Sequence, residues 1–240
     1  MAVDLPQLNL GRHALFLDFD GTLVDIAPRP EMVQLLPETG AALERLQVCL
    51  GGALALVSGR PLDQLDDHLR PLALPAAGVH GLMRRDVHGH VIATPVNEDG
   101  LARVRAVLED AAADVDGLLV EVKPAAVAFH YRGAPDRADW ATSLARTAAE
   151  DVGLPVVAGK MVLEIKGAKA SKADAISAFM AEPPFAGRVP VFAGDDVTDE
   201  DGFRAVNEHG GISIKVGAGE TRANHRVADP RSFLAWLHAQ

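Results

Sequence analysis

The chain has 240 residues, of which 48% are hydrophobic and 23% charged, a composition typical of a globular protein long enough to bury a substantial core. Its formal net charge of −10 argues against nucleic-acid or anionic-membrane partners, because both kinds of partner attract basic surfaces. The sequence carries neither a secretory-signal pattern nor an apolar run of about 20 residues, so a cytoplasmic protein is the default expectation.

The first predicted element is a short buried strand, Leu15 to Leu17, followed by Asp18-Phe19-Asp20-Gly21-Thr22-Leu23. Gly21 allows a turn in which the backbone approaches a ligand closely, and open α/β sheets bind ligands at the carboxyl ends of their strands. Side-chain alternation places Asp18 and Asp20 on one side. Two like charges that close need a cation such as Mg²⁺, which prefers oxygen ligands. A strand end with solvated aspartates is the alternative.

A helix and a second strand follow. Pro37 to Leu50 has apolar residues at helical spacing, and Cys49 within it is interpreted as a small core residue. A single cysteine also excludes an internal disulfide. Ala53 to Val57 predicts a second buried strand, which ends in Ser58-Gly59-Arg60.

The alternation of strands and helices continues. Pro61 opens another helix, Ala77 to His80 predicts a third strand, and a hairpin is expected around His88-Gly89-His90. This alternation predicts an α/β fold of Rossmann-like type, with a parallel sheet covered on both faces.

The pattern changes between Asn97 and Lys166. Here the order is helix, strand, strand, helix, strand, strand; the strands are expected at Leu118 to Lys123, Ala126 to Arg132, Val156 to Gly159 and Met161 to Ile165. Adjacent strands that pair with each other are antiparallel and cannot continue a parallel sheet. We therefore predict that residues 97–166 form a smaller α/β cap domain, inserted into a core made of residues 1–96 and 167–240.

The predicted strands of this insert have one apolar and one polar parity. The apolar parity, expected to pack against the two helices, carries Val120, Val122, Val127, Phe129, Tyr131, Met161, Leu163 and Ile165. The polar parity carries Glu121, Lys123, Ala126, Ala128, His130, Arg132, Lys160 and Glu164. An ordinary solvated sheet face is one interpretation of the polar parity. If this face instead closes over the two aspartates, its mixed charges suit a neutral polyol such as a sugar.

Beyond the insert, two further segments carry polar groups. Ser171 is a plausible N-cap with Lys172 in the first turn of its helix, and the strand Pro190 to Ala193 ends in Gly194-Asp195-Asp196-Val197-Thr198-Asp199-Glu200-Asp201. Taken singly, a lysine is usually a surface residue and acidic residues are favoured at helix starts. Ser58-Gly59-Arg60 alone is an ordinary strand-to-helix turn.

Together these groups supply what phosphoryl transfer needs. Asp18 can attack phosphorus, and Asp20 can protonate the departing oxygen and then deprotonate the hydrolytic water. Mg²⁺ bound by Asp18, the Asp20 carbonyl and Asp195 would screen the negative charges. Ser58 and Lys172 can each hydrogen-bond the phosphoryl oxygens.

Taken in chain order, the segments that contain Asp18, Ser58, Lys172 and Asp195 resemble the four motifs of the haloacid dehalogenase superfamily. The resemblance covers essentially the whole chain. The segment 194–201 resembles the last motif of the trehalose-6-phosphate phosphatases. Other segments similar to that family are Ser58-Gly59-Arg60, His80-Gly81, Glu121-Val122-Lys123, His130-Tyr131-Arg132 and Gly159-Lys160-Met161-Val162-Leu163-Glu164. Ser171-Lys172-Ala173 stands where the family often has Lys-Gly, and Lys166 and Lys169 leave the choice of the phosphate-binding lysine open.

The resemblance implies a Mg²⁺-dependent phosphatase that forms an aspartyl-phosphate and whose cap closes on the core. It implies catalytic roles for Asp18, Asp20, Ser58 and Lys172, metal binding by Asp18, Asp20 and Asp195, and metal-supporting roles for Asp196 and Asp199. It implies substrate-binding roles for Gly59, Arg60, His80, Gly81, Glu121, Lys123, His130, Arg132, Lys160 and Glu164. A phosphatase for another sugar phosphate and a catalytically inactive sugar-phosphate-binding module remain alternatives. The sequence does not set the oligomeric state, for which a monomer is the default expectation.

Overall fold

The computed structural model describes residues 5–26, 33–123, 125–159 and 161–240. The chain divides into two compact units: the core unit, made of Met1–Ala93 and Ala170–Gln240, and the inserted unit, Thr94–Lys169. Both predicted boundaries of the insert, at residues 97 and 166, lie inside the inserted unit.

The core unit holds most of the elements, which are numbered along the whole chain. Its strands are β1 (His13–Leu17), β2 (Leu54–Val57), β3 (Ala76–Gly78), β4 (Met83–Arg85), β5 (Val91–Ala93), and, after β6 to β9 of the inserted unit, β10 (Val189–Gly194), β11 (Ile212–Val216) and β12 (His225–Val227). Its helices are α1 (Pro37–Cys49), α2 (Leu62–Leu69), and, after α3 and α4 of the inserted unit, α5 (Lys172–Met180), α6 (Glu200–Glu208) and α7 (Pro230–His238).

These strands form one sheet in the order β12-β11-β10-β1-β2-β3-β4-β5. Pairing is parallel from β12 to β3 and antiparallel at the β3–β4–β5 edge. Apart from His13, the first residue of β1, the central strands β1 and β2 are apolar and buried, as expected for strands covered on both faces. The predicted α/β class with a parallel-sheet core is confirmed.

The register of the central strands sets the position of the polar groups. Leu17, the last residue of β1, pairs with Ala193 of β10 on one side and with Leu56 of β2 on the other. Parallel strands that are in register end at the same edge of the sheet. The residues that follow β1, β2 and β10 therefore lie side by side.

Two predictions about the core unit are wrong in detail. The third strand ends at Gly78, because Val79, His80 and Gly81 have φ of 50°, 55° and 100° and form a short 3₁₀ turn that cannot extend a strand. Cys49 is exposed, since Leu43, Leu46 and Leu50 fill the buried face of α1 and its last turn leaves the cysteine outside.

The inserted unit contains α3 (Glu98–Ala113), β6 (Leu119–Lys123), β7 (Ala126–His130), α4 (Ala138–Glu150), β8 (Val156–Gly159) and β9 (Val162–Lys166). Its sheet has the order β6-β7-β9-β8, and all of its pairs are antiparallel. Val127, Phe129, Leu163 and Ile165 form its core together with apolar residues of the two helices. The strand–helix order predicted for this segment is the observed one.

The predicted parities hold for the central strands of this sheet but not at its margins. Val122 is 55% exposed instead of packed, because β6 is an edge strand. Met161 lies ahead of β9 with φ of 60°. Among the residues that the structure describes, no helix combines the length and apolar character that a membrane crossing requires.

Candidate active site

The site lies at the carboxyl edge of the core sheet, where the ends of β1, β2 and β10 meet. Asp18 follows β1 directly, and its backbone N–H donates to the Ala193 carbonyl of β10 at 2.9 Å. Ser58 follows β2 and is buried. Asp195 follows β10. Polar groups that are far apart in sequence are thus brought together by the strand register.

Lys172 pairs with two carboxylates beneath this edge. It is the first residue of α5, whose N-cap Ser171 accepts the Asp174 N–H. The Lys172 Nζ lies 2.8 Å from Asp18 Oδ1 and 2.6 Å from Asp199 Oδ1, and all three side chains are buried. Buried charges are tolerated when they are paired in this way. Of the lysines considered from sequence, Lys172 is the one placed against Asp18.

Asp199 organises the loop that follows β10. Its Oδ2 accepts the backbone N–H groups of Asp195 and Asp196 at 3.0 and 2.9 Å, while its Oδ1 accepts from Lys172. Asp196 caps the short 3₁₀ turn Val197–Asp199 and accepts from Thr198. Both residues hold the backbone that presents Asp195, which is a geometry compatible with their predicted metal-supporting role.

Burial dominates the electrostatics of the cluster. It raises the pKa of Asp18 to about 6 in spite of the Lys172 charge, and it raises the pKa of Asp195 to about 6, with Asp199 and Asp196 adding repulsion. Burial also raises the pKa of Asp199 to about 7. Burial by itself would lower the pKa of Lys172, but the two ion pairs raise it well above its usual value. The lysine therefore stays charged, and the carboxylates hold excess negative charge.

The donor set fits a cation. Asp18, Asp195 and Asp199 offer carboxylate oxygens that lie within 4.8 Å of one another. A Cβ at position 21 would collide with the Asp195 carboxylate, so the glycine lets the turn after β1 approach the loop after β10. Because both Asp199 oxygens already accept hydrogen bonds, Asp18 and Asp195 are the carboxylates best able to ligate a metal ion.

Asp20 is held by Arg60. The Arg60 Nε and Nη2 atoms lie 2.6 and 2.7 Å from the two carboxylate oxygens of Asp20, a bidentate pair. Arg60 belongs to the turn after β2, and its backbone N–H donates to Ser58 Oγ at 3.2 Å. Asp20, Arg60 and Asp195 line a cavity of about 380 Å³. The predicted substrate contact of Arg60 stays a prediction.

Gly59, His80 and Gly81 form a tight contact next to this turn. A Cβ at Gly59 would lie 2.7 Å from His80 Cε1, so the imidazole packs on the bare backbone of the glycine. Gly81 has φ of 100°, and its backbone passes against the Ser171 carbonyl at the start of α5. The left-handed conformations of the 79–81 turn aim His80 at the Ser58-Gly59-Arg60 segment.

Glu121, Lys123, His130 and Glu164, four of the predicted cap residues, lie on one face of the inserted sheet. Lys123 Nζ is 2.9 Å from Glu164 Oε2, and His130 Nε2 is 2.9 Å from Glu121 Oε2. Arg132 is exposed just after β7, and Lys160 lies outside the described residues. The substrate-binding roles assigned to this face stay predictions.

The alanines on this polar parity explain how the ion pair between β6 and β9 can form across β7. In register, Glu121, Ala128 and Glu164 share one row across β6, β7 and β9. Lys123 and Glu164 therefore pair across β7, where the small side chains of Ala126 and Ala128 leave room beneath the ion pair. Both alanines are buried, not exposed between charges.

Sequence reasoning missed two residues near the site. Lys215, in β11, is buried, and its ammonium donates to the Asp195 carbonyl. The signal was a lysine inside the apolar strand Ile212–Val216. His68, on α2, lies against Arg60, with His68 Nε2 and Arg60 Nη1 3.2 Å apart. No local pattern marks it, because the contact depends on how the Arg60 side chain of the turn after β2 lies against the last turn of α2.

Comparisons with known proteins agree on one family. The family model described as Trehalose-phosphatase matches residues 16–233. A "probable trehalose-phosphate phosphatase" of Sinorhizobium fredii is 48% identical over 211 residues, covering 87% of this chain and 79% of that protein. The trehalose-6-phosphate phosphatase of Escherichia coli K12 is 42% identical over 238 residues, covering 98% and 88%. The structure of Aspergillus fumigatus trehalose-6-phosphate phosphatase has a TM-score of 0.78, covers 98% of this chain and 97% of that one, and at 23% identity supports the fold alone.

Proposed function

Because the chain belongs to the trehalose-phosphatase family, we propose that it hydrolyses trehalose 6-phosphate to trehalose and phosphate, as a step of trehalose biosynthesis. The observation that carries the proposal is the family match over residues 16–233, which spans every strand end of the site. The buried cluster of Asp18, Lys172 and Asp199 supports catalysis over binding alone, since a pure binding module needs no nucleophile. A cytoplasmic location is also proposed, with a monomer as the default expectation for the oligomeric state.

We propose Mg²⁺ as the cofactor, held by carboxylate oxygens of Asp18 and Asp195 and by the carbonyl of Asp20. The oxygen-only donor set suits a hard cation, and the cluster carries more carboxylates than the single charge of Lys172 balances. When bound, Mg²⁺ supplies charge that screens the nucleophile from the phosphate dianion and polarises the phosphoryl group.

In the first step, a carboxylate oxygen of Asp18 attacks phosphorus. The bond from phosphorus to the sugar oxygen breaks, and the sugar oxygen keeps the electron pair of this bond. The same oxygen accepts a proton from Asp20. The product is trehalose, and the phosphoryl group is now an acyl phosphate on Asp18. The backbone N–H bond from Asp18 to Ala193 fixes the nucleophile on the end of β1.

In the second step, a water oxygen attacks the same phosphorus. Asp20, left as a carboxylate by the first step, accepts a proton from this water. The bond between phosphorus and the Asp18 oxygen breaks, and its electron pair restores the Asp18 carboxylate. Phosphate is released, and the enzyme returns to its starting state.

Lys172 and Ser58 are proposed to hold the phosphoryl oxygens. Lys172 stays charged and is already fixed beside Asp18, so it adds positive charge where negative charge develops. The Ser58 hydroxyl accepts the Arg60 N–H, which leaves its own O–H free to donate to a phosphoryl oxygen. Both contributions are positioning and charge stabilisation, which dominate phosphoryl transfer.

The sugar is proposed to bind the polar face of the inserted sheet. Glu121, Lys123, His130 and Glu164 already lie on this face as one ion pair and one histidine–carboxylate contact, and acceptors next to donors match the hydroxyls of a disaccharide. Exposed pairs of this kind contribute little to stability. They can exchange partners for sugar hydroxyls at small cost.

The test is phosphate release from a panel of sugar phosphates in Mg²⁺ and in EDTA, with calorimetric titration of each compound. The proposal expects Mg²⁺-dependent release with trehalose 6-phosphate preferred. Preference for another sugar phosphate would assign the same chemistry to a different substrate. Binding of trehalose 6-phosphate without any release would instead identify an inactive binding module.

A further inference from the structure

The guanidinium of Arg60 is held from two sides. Its Nε and Nη2 atoms lie on the Asp20 carboxylate, and its Nη1 atom lies 3.2 Å from Nε2 of His68. We propose that His68 is a positioning residue: it fixes the Arg60 guanidinium so that Asp20 is held as the general base of the second step. This inference rests on the proposed function, since it assumes the acyl-phosphate route.

The packing around Arg60 supports this role. His68 lies in the last turn of α2, half-buried, with its ring 5.3 Å from the ring of Phe19. The Arg60 guanidinium lies 5.5 Å from the same ring. Phe19 separates Asp18 from Asp20 in the chain, so the turn before α2, through Arg60, and the end of α2, through His68, both contact the nucleophile segment.

The donor and acceptor roles are also consistent. A guanidinium donates and never accepts, so the His68 ring must be the acceptor in this contact. Burial first, and then the Arg60 charge, lower the pKa of His68, so the ring is neutral at pH 7. A neutral imidazole protonated on Nδ1 accepts at Nε2, the atom that faces Arg60.

The bidentate pair makes Asp20 suited to the second step. Both carboxylate oxygens accept from Arg60, which fixes the orientation of the carboxylate, and each oxygen keeps a second lone pair. One of these lone pairs can take the proton of the attacking water. The water oxygen then bonds to phosphorus, while the bond from phosphorus to Asp18 breaks toward the carboxylate.

The alternative is a purely structural role, in which His68 only packs its ring against Phe19. Two substitutions separate the two roles. His68→Phe keeps an aromatic ring over Phe19 but has no acceptor for Arg60, whereas His68→Gln keeps an acceptor at similar reach but no ring. Asp67→Asn, at the exposed neighbouring position whose carboxylate contacts Arg70, is the control for general effects on α2.

The measurement is the fraction of enzyme that carries phosphate on Asp18 during turnover of p-nitrophenyl phosphate, by rapid acid quench with labelled substrate. This ester has a good leaving group, so the second step limits turnover and its base is isolated. His68→Phe should raise the phosphorylated fraction and lower kcat about tenfold, and His68→Gln should restore most of both. Asp67→Asn should match the unsubstituted protein.

An unchanged phosphorylated fraction in His68→Phe would overturn the inference, and so would a His68→Gln variant as impaired as His68→Phe. Thermal unfolding of each variant detects a folding defect, which would lower kcat without raising the phosphorylated fraction. Failure of the substrate assignment can be distinguished from failure of this inference. An enzyme that turns over p-nitrophenyl phosphate but not trehalose 6-phosphate would contradict the proposed substrate and still permit this test of His68.

Discussion

The active-site cluster of the core unit and the polar face of the inserted sheet are both built from paired charges, but in different environments. Asp18, Lys172 and Asp199 are buried, and Lys172 and Asp199 each have more than one partner. Lys123–Glu164 and Glu121–His130 are half-exposed pairs, whose side chains range from 25% to 50% exposed. The two regions use the same side-chain types for different purposes.

The difference follows from the cost of breaking each kind of pair. Removing one partner of a buried ion pair costs roughly 3–5 kcal/mol, because the other charge is left without compensation. An exposed pair is worth about 0–1 kcal/mol. We therefore expect the buried cluster to be the rigid part of the site, which carries out the chemistry shared by all phosphate esters, and the exposed pairs to determine which substrate is preferred. Each prediction below tests one side of this division.

The largest expected effect is that of Asp18→Asn in the core unit. The amide keeps the shape of the side chain but cannot attack phosphorus, so turnover of both trehalose 6-phosphate and p-nitrophenyl phosphate should fall by roughly 10⁴-fold or more. Rapid acid quench should find no label on the protein. Near-normal turnover would contradict the covalent route for both substrates at once.

The sequence predicted much of the buried region because its signals are local. Apolar runs followed by Asp18, Ser58 and Asp195 place these groups at strand ends, and parallel strands bring such ends together. It did not predict that Asp199 uses both oxygens on Lys172 and the Asp195–Asp196 backbone, since this depends on how α5 packs beside the loop after β10.

The inserted sheet was predictable in composition but not in pairing. The alternation assigned Glu121, Lys123 and Glu164 to one face, yet their partners depend on the strand order β6-β7-β9, which alternation does not encode. The left-handed turn at Val79 and His80 was also not predicted. β-Branched and bulky residues rarely adopt positive φ, and no local sequence pattern indicates it here.

Asp195→Ala should have the next largest effect. It removes a proposed metal ligand, so activity at saturating Mg²⁺ should fall on the order of 10³-fold for both substrates, and calorimetry should show weakened Mg²⁺ binding. Asp196→Ala is the matched control from the same loop. It removes a turn cap, so it should cost about 1 kcal/mol of stability and leave Mg²⁺ affinity closer to normal. Equal Mg²⁺ affinity in the two variants would contradict the ligand assignment.

The metal-free protein should become less stable as pH rises from 5 to 8. Burial raises the pKa of Asp18 to about 6 and of Asp199 to about 7, so the folded state binds more protons than the unfolded chain across this window. Stability must then fall with rising pH, by about 4 kcal/mol, because about one pKa unit for Asp18 and two for Asp199 lie above pH 5 in this window, at roughly 1.36 kcal/mol per unit. Mg²⁺ neutralises the same charges.

Denaturant unfolding in EDTA and in Mg²⁺ at each pH isolates this contribution. The lowered pKa values of His13 and His68 act in the opposite direction but are present in both series, so they cancel in the difference. The stabilisation that Mg²⁺ gives should be larger at pH 8 than at pH 5. A stabilisation independent of pH would mean that the buried carboxylates do not carry the charge assigned to them.

The smallest effect in energy should come from the inserted sheet, and it is the most selective. If Lys123 and Glu164 bind sugar hydroxyls, Lys123→Met or Glu164→Gln should lower kcat/KM for trehalose 6-phosphate about ten- to a hundredfold, the value of one or two hydrogen bonds to a charged group. Turnover of p-nitrophenyl phosphate should stay unchanged, because this ester has no sugar to contact the face.

The control for this prediction is Arg105→Gln in α3 of the same unit. The Arg105 Nε lies 2.8 Å from Glu109 Oε1, so the substitution removes an ion pair of similar exposure. Each exposed pair should contribute less than about 1 kcal/mol to the free energy of unfolding. The variants should therefore unfold alike and differ only in kcat/KM for trehalose 6-phosphate.

Unchanged kinetics in Lys123→Met would make the face an ordinary solvated surface. Equal losses on both esters would assign it to phosphate binding or folding. A loss confined to trehalose 6-phosphate would place substrate choice in the exposed pairs and chemistry in the buried ones, because the sugar would then be the sole group that the substitution affects.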